Sequence, residues 1–168
     1  MLVVFFVLLC GIPAGALTWR ELTPSTGPTP APRMRAAGVY DPLGGRLVVI
    51  GGRTSGRDLN DVWAFDPGTS TWEDITPAAG AAPAPRSTHD AVYDPANRRI
   101  LVWSGRQNSL FFNDVWAFAL ESSAWERFTT VDPMPNIRYG TASVFDPLAE
   151  QLVTFAGFIY AGRFEDTW

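Results

Sequence analysis

Lysine is absent from this 168-residue chain, and cysteine and histidine occur once each, as Cys10 and His89. All thirteen basic residues are therefore arginine, scattered along a chain of net charge −4. A nucleic-acid or anionic-membrane partner calls for clustered positive charge, so the sequence argues against both. One histidine and one cysteine also fall short of the ligand sets of zinc and iron sites, and the expectation is no metal and no cofactor. Long apolar runs are equally scarce. The run at residues 1–12 leads into Pro13-Ala14-Gly15-Ala16, so residues 1–16 read as a signal peptide cut after Ala16, without the basic start such signals ordinarily carry. The run is short for a spanning helix. Retention as an anchor is the alternative, and Leu9 stands where lipidation of Cys10 would need a small residue. Cleavage would leave neither disulfide nor thiol nucleophile, so stability would rest on packing. The expected location is secreted, periplasmic or cell-surface, with no membrane insertion after cleavage.

What the chain does contain is one pattern written three times, from Arg33, Arg86 and Arg138. A repeat sets the architecture before any residue has a role. Each copy reaches an Asp-Pro pair eight residues on, at Asp41, Asp94 and Asp146, followed by a short apolar run. The runs end on Gly51-Gly52, Ser104-Gly105 and Ala156-Gly157. After a variable loop come Asp61-Val62-Trp63, Asp114-Val115-Trp116 and Asp166-Thr167-Trp168, and then a second tryptophan at Trp72 and Trp125. The resulting divisions are an outer strand and Pro-rich connector at 17–32, and repeats at 33–85, 86–137 and 138–168.

The short periodicity and frequent punctuation predict four strands per copy, in the first over residues 33–40, 46–50, 62–65 and 71–75. Asp41-Pro42 and Asp66-Pro67 read as hairpin corners, because proline presets the turn angle while the aspartate accepts a nearby amide. Gly51-Gly52 suits a positive φ or a close backbone approach. The second strand is apolar on consecutive residues, so both its faces must be buried. Each blade of a radial propeller lies between two neighbours, which meets that demand better than a two-layer sandwich does. Trp63, Trp72, Trp116 and Trp125 then fill the wedges between blades. The fold class is all-β, a propeller segment of about three four-stranded antiparallel blades.

These residues resemble the kelch-repeat family of β-propellers: the arginine opening strand one, the double glycine ending strand two, the aromatic on strand three and the tryptophan about nine residues beyond. The likeness covers residues 19–168, and Ser104-Gly105 and Ala156-Gly157 depart from the double glycine. The Asp-Val-Trp element looks most like the bacterial extracellular kind. The resemblance implies a domain that binds a partner at one end of the ring through its loops; a minority of such propellers are enzymes. Galactose oxidase shares this propeller architecture, but its copper site draws on histidines, tyrosines and a cysteine that this chain lacks.

Residues 17–22 align with residues 70–75 and so read as an additional fourth strand, while the third copy reaches Trp168 within its strand three. Twelve strands make three blades, and closed rings hold about four to eight. Two readings follow: a partial chain, or a half-ring that pairs with a second copy as a homodimer.

Catalytic groups are few. His89 and Asp90 are neighbours on a strand and would point to opposite faces, as would Glu73 and Asp74, so neither pair forms a working acid–base couple. The carboxylates Asp58, Asp61, Asp114, Glu165 and Asp166 precede strand three and raise the question of calcium. Because Asp61, Asp114 and Asp166 recur at one motif position, they read instead as acceptors of backbone amides there. No catalysis is expected.

A binding surface remains. The loops at 53–60, 106–113 and 158–165 vary most, and recognition concentrates on loops held by a rigid scaffold. Arg35, Arg53, His89, Arg106 and Tyr139 are the candidate ligand contacts, the arginines as forked donors to carboxylates. Arg33, Arg86 and Arg138 read as structural braces between adjacent blades. Leu110, Phe111 and Phe112 make an apolar loop tip that either meets a partner or covers a neighbouring blade. The Pro-rich connectors at 23–32, 76–85 and 129–137 stiffen the blade crossings. The expected function is a binding or scaffold module for a protein, peptide or glycan. Its alternatives are the non-catalytic part of a larger propeller enzyme and a self-assembling unit.

Overall fold

A computed structural model describes residues 19–24 and 26–168, all strand, turn and loop. The expected signal peptide at 1–16 lies outside the described residues. Three blades follow one another. The first is the sheet β1 (Ala37–Asp41), β2 (Arg46–Arg53), β3 (Asp58–Asp66) and β4 (Thr71–Asp74), antiparallel in chain order. The second joins β5 (Asp90–Asp94), β6 (Arg99–Trp103), β9 (Val115–Ala119) and β10 (Ala124–Arg127) in the same order, with the hairpin β7 (Arg106–Gln107) and β8 (Leu110–Phe111) rising from its centre. The third has β11 (Ala142–Asp146) and β12 (Gln151–Phe155), a bridge from Phe155 to Thr167 and its own hairpin, β13 (Phe158–Ile159) and β14 (Gly162–Arg163).

The aspartate turns form as their chemistry requires. Asp41 Oδ1 accepts the amides of Leu43 and Gly44 at 3.2 and 3.0 Å, and Asp66 Oδ1 accepts those of Gly68 and Thr69 at 2.7 and 3.3 Å. The forward face of blade 1, facing blade 2, carries Val39, Val48, Ile50, Val62 and Ala64. It packs on the rear face of blade 2, with Ile100, Val102, Trp116, Phe118 and Trp125, and this wedge is the hydrophobic core. Consecutive apolar residues in β6 thus serve two interfaces, whereas of the apolar side chains on β2 only Val48 and Ile50 are buried between blades and Leu47 on the other face is exposed. The wedge between blades 2 and 3 is more polar: Asp90 Oδ2 accepts the hydroxyls of Thr141 and Ser143, both at 2.6 Å, and the Trp103 indole donates to Ser143 Oγ at 3.0 Å.

Strand one differs from its predicted extent. It begins at Ala37, because Arg35 takes a left-handed φ of 58° that interrupts the ladder, as Thr88 (55°) and Gly140 (66°) do in the later copies. The turn brings backbones of successive blades together. The Thr88 amide donates to the Arg35 carbonyl at 2.9 Å, and the Gly140 amide to the Thr88 carbonyl at 3.0 Å. The outer strand expected at 17–22 is not formed where it is described. Residues 19–22 pair with no strand, and Trp19 is fully exposed. Leu22 instead joins Leu47, Phe65 and Trp72 along the rear face of blade 1, an apolar surface that draws it away from any sheet edge.

Candidate functional site

The residues of the repeat motif resolve first. Arg33, Arg86 and Arg138 each aim a guanidinium fork at the aspartate 28 residues ahead. Arg33 meets Asp61 at 2.6 and 2.8 Å, Arg86 meets Asp114 at 2.8 and 3.0 Å, and Arg138 grips Asp166 in the same two-point way. Each fork also donates to the carbonyl where strand two ends, at Gly51, Ser104 or Ala156. The aspartate's second oxygen receives the indole N–H two residues on, from Trp63, Trp116 or Trp168, at 2.7–2.8 Å. The clasp therefore corrects one sequence expectation: the aspartates accept arginine and tryptophan side chains rather than backbone amides. The arginine forks fasten strands within their own blade, while the Arg86 and Arg138 backbones hydrogen-bond to the blade before, so the bracing of adjacent blades is carried by the main chain of these residues. A buried cation needs a paired anion, and the strand amides are already used in the sheet.

Burial opposes ionisation of Asp61 and Asp114, but the guanidinium and indole donors outweigh it and hold both carboxyls below their ordinary value. At Asp166 the Arg138 bond dominates outright and the pKa falls further. These three carboxylates each face their own arginine, and among the described residues no three His, Cys, Asp or Glu side chains gather as a metal site.

The second glycine of each pair is a close approach. A Cβ on Gly52 would lie 2.8 Å from Ala36 Cβ, one on Gly105 2.7 Å from His89 Cβ, and one on Gly157 2.8 Å from Thr141 Cγ2. The first position is as tight in blade 1, where a Cβ on Gly51 would lie 2.8 Å from the Leu59 carbonyl oxygen, but it admits a side chain in the later copies. Ser104 and Ala156 sustain φ of 62° and 60° where Gly51 has 55°.

His89 leaves the list of ligand contacts. It is 5% exposed, wedged between Gly51 of blade 1 and Gly105 of its own blade, with no hydrogen-bond partner on either ring nitrogen among the described residues. Burial first, and then the nearby charge of Arg86, push its pKa down to about 3; the Ile50 backbone pulls the other way without making a well-formed hydrogen bond. The side chain is a neutral packing element. Asp90 indeed faces the opposite way, toward blade 3.

The loop hairpins bring the remaining candidates together. Phe111 from β8 stacks on Tyr139 at 5.3 Å between ring centroids, Tyr139 meets Phe158 of β13 at 4.1 Å, and Tyr160 meets Phe111 edge-on at 4.9 Å. Arg106 lies over the Tyr139 ring at 4.9 Å. Tyr160 is 68% and Leu110 62% exposed, so the cluster opens to solvent. Beside it Arg53 Nη1 donates to Asp58 at 2.6 Å and to Asn108 Oδ1 at 3.2 Å, leaving Nη2 and Nε without a protein acceptor among the described residues. Arg35 is exposed and makes no ion pair among them either.

The apolar tip at 110–112 divides its labour. Leu110 projects, Phe111 enters the aromatic group, and Phe112 lies under the Arg86 guanidinium at 4.3 Å. Phe164 covers Arg138 at 4.1 Å in the same manner. Phe158, Tyr160 and Asn108 were not singled out by sequence reasoning. The signal was the run Phe158-Ile159-Tyr160 inside a loop: Phe158 meets Tyr139 of its own repeat, and Tyr160 meets Phe111 and Asn108 of another blade.

Comparison with known proteins places this arrangement. The KLHDC2/KLHL20/DRC7 Kelch-repeats domain matches residues 12–168. Acyl-CoA-binding domain-containing protein 5 of Arabidopsis thaliana is 37% identical over 103 residues, 61% of this chain and 16% of the plant protein. Multiple epidermal growth factor-like domains protein 8 of Mus musculus is 38% identical over 117 residues, 67% of this chain and 4% of that protein. Dynein regulatory complex subunit 7 of Chlamydomonas reinhardtii is 29% identical over 123 residues, 71% of this chain and 10% of its own length. The chain thus spans less than a fifth of these relatives. Its repeated clasp and four-stranded blades agree with the match: the chain belongs to the kelch-repeat family.

Proposed function

We propose that the hairpin surface of blades 2 and 3 is a recognition site for a protein or peptide segment, and that the chain acts as a binding module without catalysis of its own. Kelch repeats generally mediate protein binding. The observation that carries the reading is the exposed group of Phe111, Tyr139, Phe158 and Tyr160 with Arg106 laid over it. Aromatic side chains and arginine dominate binding energy at protein interfaces, because each combines large apolar area with a directed polar end. Rigid blades hold these groups in place, which lowers the entropy lost on binding. The unused donors of Arg53 and Arg106 favour a segment bearing a carboxylate. A glycan is the second ligand class compatible with stacked aromatics. Action outside the cytoplasm belongs to the same proposal and is supported by the composition of residues 1–16.

Selection from a displayed random-peptide library tests the site. Peptides enriched in carboxylates and apolar residues are expected, with affinity falling at least tenfold for Arg106→Ala and Tyr160→Ala. A library that yields no binder, or binders indifferent to both substitutions, refutes the assignment.

A further inference from the structure

The three loop hairpins share one register and differ at one pair of positions. Arg53, Arg106 and Phe158 are equivalent, because each forms an antiparallel bridge to the residue that follows its blade's repeat arginine, Met34, Ser87 or Tyr139. Across the hairpin they face Asp58, Phe111 and Arg163 in turn. Blade 1 therefore sets a carboxylate opposite its arginine where blade 2 sets a ring. Blade 3 carries a ring and an arginine exchanged between the two strands.

The charges differ accordingly. The Asp58 side chain is 1% exposed, and its Oδ2 accepts Arg53 Nη1 at 2.6 Å. The same oxygen accepts the Asn108 amide of blade 2 at 3.2 Å, while Oδ1 has no partner among the described residues. A buried anion in contact with a guanidinium cancels most of its field, so little net charge reaches a ligand. Arg53 keeps Nε and Nη2 as donors and little else. Arg106 enters no ion pair among the described residues and lies over Tyr139 instead. A ring face attracts a cation without neutralising it, so the Arg106 charge stays available. Arg57, next to Asp58 in sequence, lines a separate cavity with Asn60, Asp61 and Pro85, and none of the aromatic group lines it.

We propose that Asp58 is a specificity-determining residue of the hairpin surface: by cancelling the charge of Arg53 it leaves Arg106 as the seat of the ligand's anionic group. The inference rests on the reading of that surface as a recognition site and adds an orientation to it. The ligand lies along the arc with its carboxylate over blade 2 and an uncharged part over blade 1, where the free donors of Arg53 meet neutral acceptors such as peptide carbonyls. A second carboxylate placed at Arg53 would face the Asp58 charge without gaining an unpaired cation.

Phenylacetate, a carboxylate bearing one ring, is the probe, followed through the arginine Nε–Hε signals in NMR and assigned with Arg53→Lys and Arg106→Lys. In the unsubstituted chain the Arg106 signal is expected to move on titration and the Arg53 signal to stay. Asp58→Asn keeps the shape and an acceptor for Arg53. In that variant the Arg53 signal should move as well, with affinity at that residue raised about fivefold or more, as for one partly exposed charge pair. Phe111→Asp copies the blade 1 pair into blade 2 and should silence Arg106, whereas Phe111→Asn should not, so the masking is tested even where Asp58→Asn fails to fold. Three results would each overturn the proposal: an Arg53 signal that moves with Arg106 in the unsubstituted chain, an Arg53 signal unmoved in folded Asp58→Asn, or identical behaviour of the two Phe111 variants. Peptide selection reports on the site separately. Peptide binders alongside a contrary phenylacetate pattern would sink this inference alone; the expected pattern without peptide binders would sink the recognition site and leave the masking of Arg53 standing.

Discussion

Lowering the pH from 6.5 to 5 is expected to cost this protein about 1.6 kcal/mol of stability through His89 alone, because the unfolded histidine is half protonated at the start and the linkage slope reaches about 1.4 kcal/mol per pH unit only below it. The ordinary histidine pKa is 6.5, and in the fold that of His89 is pushed down to about 3. Below pH 6.5 the unfolded chain takes up a proton that the folded chain refuses. Stability is therefore full above that value and declines as the pH falls toward about 3. The figure holds for any folded pKa below about 4, because the slope depends only on which state carries the proton. No other histidine exists to blur the result. Asp61, Asp94 and Asp114 have pKa values lowered from 3.8, so they stay ionised across this window and lose their contribution only in more acid solution. Urea denaturation at fixed protein concentration, at half-unit pH steps, measures the slope. His89→Gln, which cannot titrate, should flatten it whatever its own stability at neutral pH. A wild-type protein of constant stability between pH 6.5 and 5, or a variant with an unchanged slope, would show that His89 protonates within the fold.

Two further substitutions test the structural reading. Asp114→Asn removes the anion facing the buried Arg86 and should cost about 3 kcal/mol or more in denaturant unfolding; Asp166→Asn should cost less, since Asp166 is the more exposed carboxylate. Gly105→Ala places a methyl 2.7 Å from His89 Cβ at φ +94° and should lower stability by more than about 1 kcal/mol, whereas Gly56→Ala meets nothing within 4 Å and should be nearly neutral.

Local chemistry accounts for the parts of the fold that were legible in sequence. The Asp-Pro corners and the small residues at the end of strand two are decided within a few residues and formed as expected, and burial of both faces of strand two holds in blade 2, which has a blade on either side. Where the prediction was displaced, the reason was tertiary. Strand one starts late because Arg35 turns left-handed to meet Thr88 of the next blade. Residues 19–22 make no strand, and the rear face of blade 1 offers Leu22 an apolar surface. The site was half legible. Variable loops pointed to Arg53 and Arg106, and the place beside a repeat arginine to Tyr139, yet nothing in a linear pattern reports that Phe111 and Tyr160, 49 positions apart, share one cluster.

Repetition by itself determined the blades, their number in this chain and the recurrence of arginine, aspartate and tryptophan, because a unit that cannot bury its own faces must stack on its copy. Tertiary structure decided what each recurrent residue does. The forks of Arg33, Arg86 and Arg138 find aspartates 28 residues away, and His89 is neutral because blade 1 closes over it. Hydrogen-bond partners and burial are set by distance in space, and a repeat in sequence specifies which positions are alike without specifying which of them meet.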